Sequence, residues 1–85
     1  MESFRMRFIV GQISDDELQA LQKGLAVISK LLLVHEDYKF FRYKVGDEIE
    51  AETHDGNRIW TIIRSMEVVE DGEQVVVILT LIARE

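Results

Sequence analysis

Two histidines stand beside carboxylates, His35 before Glu36-Asp37 and His54 before Asp55. An imidazole next to a carboxylate can move a proton or help hold a metal. The spacing supports neither use. No H-x-x-x-H, H-E-x-x-H or repeated D-x-D pattern occurs, no serine sits in a nucleophile elbow, and no glycine-rich phosphate loop is present. Both histidines fall in expected turns, where His, Asp and Glu are ordinary surface residues. The sequence therefore assigns no catalytic residue, no metal ligand and no cofactor, and it gives no positive sign of an enzyme.

Three other groups of charged side chains have more to say. Asp15, Asp16 and Glu17 resemble an acid/base cluster, but Ser14 and Glu17 form an S-x-x-E capping box. Acidic residues in a first helical turn are also favoured by the helix dipole, so capping accounts for all three. Glu48, Glu50 and Glu52 alternate along one strand face. Such a stripe protects an edge against aggregation, or offers a negative docking surface to a basic partner. Arg5 and Arg7 read as a solvated face or as partners for those glutamates on a neighbouring strand, with phosphate binding as the sharper alternative.

One run interleaves aromatic and basic residues. In Tyr38-Lys39-Phe40-Phe41-Arg42-Tyr43-Lys44-Val45, a strand would put Phe40, Arg42 and Lys44 on one face and Phe41, Tyr43 and Val45 in the core. Tyr38, Phe40, Arg42 and Lys44 are the candidate surface for a nucleotide or single-stranded RNA, which such a pattern often holds. The net charge of −6 disfavours that use, because phosphate affinity comes from cations.

Eighty-five residues fold as one domain with one modest core, and 47% hydrophobic content with clear periodicity argues against disorder. The chain has no Cys and no Pro. It therefore has no disulfide or thiolate chemistry, and its cysteine usage suits a reducing cytoplasm. No secretory leader is expected from the amino-terminal residues. The longest apolar run is far short of the about 20 residues that span a bilayer.

The elements follow from these patterns. Ser3–Val10 alternates Phe4, Met6, Phe8 and Val10 against Arg5 and Arg7, as a half-buried strand does. From Ser14 the apolar residues Leu18, Leu21, Leu25, Ile28 and Leu32 keep helical spacing, with Ile13 and Leu18 placed as a hydrophobic staple. That stripe keeps its phase across Gly24 and favours one helix over Asp15–Leu33. The alternative is that Gly24 ends the helix and Ala26–His35 becomes a strand. Strands are expected at Lys39–Val45, Glu48–Thr53, Arg58–Val69 and Gln74–Ala83, with turns at Asp55-Gly56 and Asp71-Gly72.

Centring those turns on the Asp-Gly pairs sets a register. Ala51 meets Trp60, Ile49 meets Ile62, Val68 meets Val75, Met66 meets Val77 and Ile62 meets Leu81. One face then collects Ile49, Ala51, Trp60, Ile62, Met66, Val68, Val75, Val77, Leu79 and Leu81. The other keeps Ile59, Ile63, Val76, Ile78 and Ile82, which is too apolar for a face left wet.

The order of strand, helix, Val45-Gly46-Asp47 turn and meander resembles small PUA-like domains of the ASCH type. The likeness runs from Tyr43 to Ile49 and on through Val75-Val76-Val77-Ile78. It implies a curved sheet or partly closed barrel and an RNA- or nucleotide-binding role. The G-x-K-x-x-E-x-R signature of that family has no counterpart after Gly24, so none of its ligand-handling residues carries over.

The expected fold class is α+β: a first strand, one long helix, then a four-stranded antiparallel meander. The expected function is that of a small acidic, non-catalytic interaction or regulatory module. The excess apolar surface predicts a homodimer, formed through Ile59, Ile63, Val76, Ile78 and Ile82 together with Val27, Leu31 and Val34. The alternative is a PUA-like binder of RNA or a nucleotide through Tyr38–Lys44.

Overall fold

The structure is a computed structural model, and it describes residues 12–84. The strand expected at Ser3–Val10, with Arg5 and Arg7, lies outside those residues. The remaining chain forms β1 (Gln12–Ile13), α1 (Asp15–Gln22), β2 (Val27–Val34), α2 (His35–Tyr38), β3 (Glu48–Thr53), β4 (Arg58–Asp71) and β5 (Gln74–Ala83). The described strands make one five-stranded, barrel-like sheet in the order β1-β3-β4-β5-β2. β1 runs parallel to β3, and every other pairing is antiparallel.

α1 begins as its sequence dictates. Ser14 Oγ accepts from the Glu17 amide at 3.1 Å, while Glu17 Oε1 accepts from the Ser14 amide at 2.8 Å. Ile13 and Leu18, placed to staple this turn, are both buried in the core. The helix then stops eight residues on, which corrects the expectation of one long helix to Leu33. Gly24 takes φ +85°, its amide donates to the Leu21 carbonyl at 3.0 Å, and the Leu25 amide donates to the Ala20 carbonyl at 2.9 Å. Those two bonds are a Schellman ending, whose left-handed position a glycine occupies without a Cβ penalty.

With the helix closed, Val27–Val34 is free to pair. It runs antiparallel to β5 without a break, from Val27 opposite Leu81 to Val34 opposite Gln74. The helical spacing of Leu18, Leu21, Leu25, Ile28 and Leu32 was therefore partly accidental. Leu18 and Leu21 are buried, whereas Leu25, Ile28 and Leu32 are among the most exposed apolar side chains described. The strand expected at Lys39–Val45 is absent. His35–Tyr38 forms a single helical turn, and residues 39–47 continue as turns and loop into β3.

β3 and β5 have the expected bounds, but both hairpins turn at a different point. Glu52 pairs with Arg58, leaving His54, Asp55 and Gly56 in a three-residue loop with Gly56 at φ +90°. The Thr53 amide donates to the Asn57 carbonyl at 2.8 Å, and the Gly56 amide donates to the Thr53 carbonyl at 3.0 Å. This is the turn plus left-handed glycine typical of three-residue hairpin loops. Ala51 consequently faces Ile59 rather than Trp60, and Ile49 faces Thr61 rather than Ile62. A one-residue slip sends every side chain to the other face, so Trp60 and Ile62 leave the expected core.

The second hairpin closes with Asp71 opposite Gln74, so Gly72 and Glu73 are its loop. Val68 therefore meets Val77, and Met66 meets Leu79. A bulge between Ile63 and Ser65 absorbs the mismatch, with Ile63 opposite Leu81 and Ile62 opposite Ile82 below it. The inner face of β4 thus runs Ile59, Thr61, Ile63, then Met66, changing parity at the bulge. The core is Ile13, Leu18, Leu21, Val27, Leu31, Leu33, Ile49, Ala51, Ile63, Val75, Val77, Leu79 and Leu81.

Candidate interaction surface

The two histidines lie in separate elements. His35 opens α2 and His54 sits in the β3–β4 loop, both exposed. Among the described residues no group of three or more His, Asp or Glu side chains is placed to hold a metal ion. The carboxylates at 15–17 lie in the first turn of α1, as capping requires.

The four residues expected to share a strand face do not share one. Tyr38 ends α2 and stacks on Phe41 with ring centroids 6.2 Å apart, and Phe41 meets Tyr43 edge-on at 5.7 Å. These three rings pack against the core. Phe40, Arg42 and Lys44 are exposed along the following loop. The Arg42 guanidinium donates to the Lys39 carbonyl at 2.6 Å, and the Lys44 amide donates to Asp47 Oδ2 at 2.9 Å. The run is thus a loop, not a strand, and the Tyr38, Phe41 and Tyr43 rings anchor it to the core.

The acidic stripe is internally answered. Arg84 pairs with Glu48 at 2.9 Å, and Arg58 lies 3.9 Å from Glu50 and 3.8 Å from Glu52. Arg84 also sits over the Trp60 ring, 5.2 Å from its centroid. These groups are exposed or half-buried at the surface, so each pair contributes little stability. Their effect is to make the β3 end of the sheet polar and locally charged, next to an exposed tryptophan.

The other end of the same outer face is different. Paired residues share a face, so β2, β5 and β4 build cross-strand rows on it. Ile28 lies by Thr80 and Ser65, Lys30 by Ile78 and Glu67, and Leu32 by Val76 and Val69. Val34, Gln74 and Asp71 make the last row. Leu32 is 66% exposed, Ile28 59%, Val34 48% and Val69 42%, with Val76, Ile78 and Ile82 half-buried between strands. Among the described residues, both helices pack on the inner face, through Leu18, Leu21 and Tyr38.

This placement redraws the expected contact surface. Ile63, Val27 and Leu31 belong to the core of a single chain and present nothing outward, while Ile59 is half-buried against that core. Val76, Ile78, Ile82 and Val34 do lie on the outer face. Ile28, Leu32 and Val69 join them there. The helical reading concealed Ile28 and Leu32, whereas the alternation Val27-Ile28-Ser29-Lys30-Leu31-Leu32 read as a strand would have exposed them.

No helix among the described residues is long and apolar enough to cross a membrane. Compared with family models, curated proteins and solved structures, the chain matches none of them.

Proposed function

We propose that this protein is a small, non-catalytic, self-associating interaction module, and that the outer face of β2, β5 and the far half of β4 is its contact surface. One observation carries the reading. Leu32, Ile28, Val34 and Val69 stand far out of the sheet in one continuous patch with Val76 and Ile78. Contiguous apolar surface of this kind marks an interaction site, and single exposed residues would not. The acidic stripe at the β3 end bounds the patch and favours a contact that leaves that end in water.

Light scattering over a micromolar range tests the reading. The chain should move from 9.9 kDa toward twice that mass as concentration rises. Ile78→Glu should hold it at the lower mass with its circular dichroism unchanged, since Ile78 faces outward. A wild-type mass that stays at the monomer value throughout would refute self-association.

A further inference from the structure

Two copies could meet through this patch in more than one orientation, and its charge pattern favours one. The outer face carries one row with opposite charges at its ends. Lys30 on β2 lies beside Ile78 on β5, and Ile78 lies beside Glu67 on β4. Neighbouring strands are about 4.8 Å apart, which puts the Lys30 and Glu67 backbones about 10 Å apart with β5 midway. The next row, Leu32, Val76 and Val69, is apolar throughout. Neither Lys30 nor Glu67 has a salt bridge among the described residues.

We infer that a second copy of this chain covers the patch face to face, related by a two-fold axis that runs along β5. This inference rests on the self-association proposed above and adds its geometry. Rotation about that axis lays β2 of one copy over β4 of its partner, and β5 over β5. Lys30 then meets the partner's Glu67, and Glu67 meets the partner's Lys30. Leu32 falls on the partner's Val69, while Val76 and Ile78 each meet their own symmetry mates. Strand directions in two packed sheets stay within about 30° of each other. At a spacing of one strand from the axis, that angle shifts the rows by only about 2 Å.

The competing two-fold, running across the strands, stacks β2 on β2 and β4 on β4. With its axis through the Lys30–Ile78–Glu67 row, it sets Lys30 against the partner's Lys30 and Glu67 against the partner's Glu67, opposing like charges at both ends of the row. Juxtaposed like charges suppress a binding mode strongly. The axis along β5 also keeps Glu48, Glu50 and Glu52 outside the overlap, because β3 lies beyond β4 from the axis. The overlap of three strands is modest against the roughly 800 Å² per partner of a standard interface. Exchange between monomer and dimer in the micromolar range fits that size.

Charge exchange tests the geometry. Lys30→Glu and Glu67→Lys should each weaken self-association about tenfold, by opposing like charges twice per dimer. Mixing the two single variants should restore wild-type affinity within about threefold, as a mixed dimer in which every facing pair is again opposite. Sedimentation velocity with one variant fluorescently labelled reads this directly. Should wild type self-associate while the two variants mix no better than each pairs with itself, this orientation is wrong and self-association stands. Preferential pairing of Lys30→Glu with wild type would instead identify the axis across the strands. Failure of the wild type to associate at all would overturn both. Circular dichroism of each variant controls for folding, and both positions are exposed strand sites.

Discussion

Thr61 and Ile49 lie opposite each other on β4 and β3, and the Thr61 hydroxyl donates to the Ile49 carbonyl at 2.8 Å inside the core. That pairing is the consequence of the three-residue loop at His54–Gly56. It brings a threonine into the interior and sends the chain's single tryptophan out. A hydroxyl in a core needs such a partner, because an unpaired polar group there is costly.

Thr61→Val keeps the shape and removes the donor. It should lower stability by about 1 kcal/mol, the net contribution of a typical intramolecular hydrogen bond. Urea denaturation of the two proteins measures it. An unchanged midpoint would mean that the hydroxyl contributes nothing to this pairing.

Trp60 reports on the same register. At 43% exposure, with Arg84 over its ring, it should emit near the wavelength of a hydrated indole and be quenched readily by acrylamide in the folded state. Blue-shifted, unquenchable emission would place Trp60 in the core and restore the register that sets it opposite Ala51.

Much of this fold was legible in the sequence. The capping box at Ser14 and the extents of β3 and β5 follow from local signals. Local signals failed where two periods coincided. Leu25, Ile28 and Leu32 fit a helical stripe, and only pairing with β5, a contact across some fifty residues of chain, makes Val27–Val34 a strand. Gly24 was the available sign, since a glycine after a helical run is a frequent terminator. The register was lost because an Asp-Gly pair marks a turn without fixing its length. The bulge at Arg64 has no signature in the residues around it. The contact surface inherited both errors, which is why Val27, Leu31 and Ile63 were expected outside and Ile28 and Leu32 inside.

Gly24→Ala should lower stability by about 1 kcal/mol or more for backbone reasons alone. Beyond its chain neighbours no atom lies within 4 Å of an added Cβ, so the effect belongs to the backbone at φ +85°. Thermal unfolding followed by circular dichroism measures it. An alanine tolerated without loss would show that the helix need not end in this conformation.

Ser14→Ala should cost about 1 kcal/mol by removing the acceptor for the Glu17 amide, whereas Ser14→Asp should be nearly neutral. The same denaturation experiment compares the three. Equal stability of serine and alanine would deny the capping box a role in starting α1.

Self-association requires two copies to meet through the outer face of β5. Isotope-filtered NMR on a mixture of labelled and unlabelled chains looks at that contact itself. Methyl groups of Val76, Ile78, Leu32 and Val69 should show intermolecular cross-peaks at high concentration, and those of Val77, Leu79 and Leu31 should show none. Cross-peaks from no methyl, or only from residues away from that face, would contradict it.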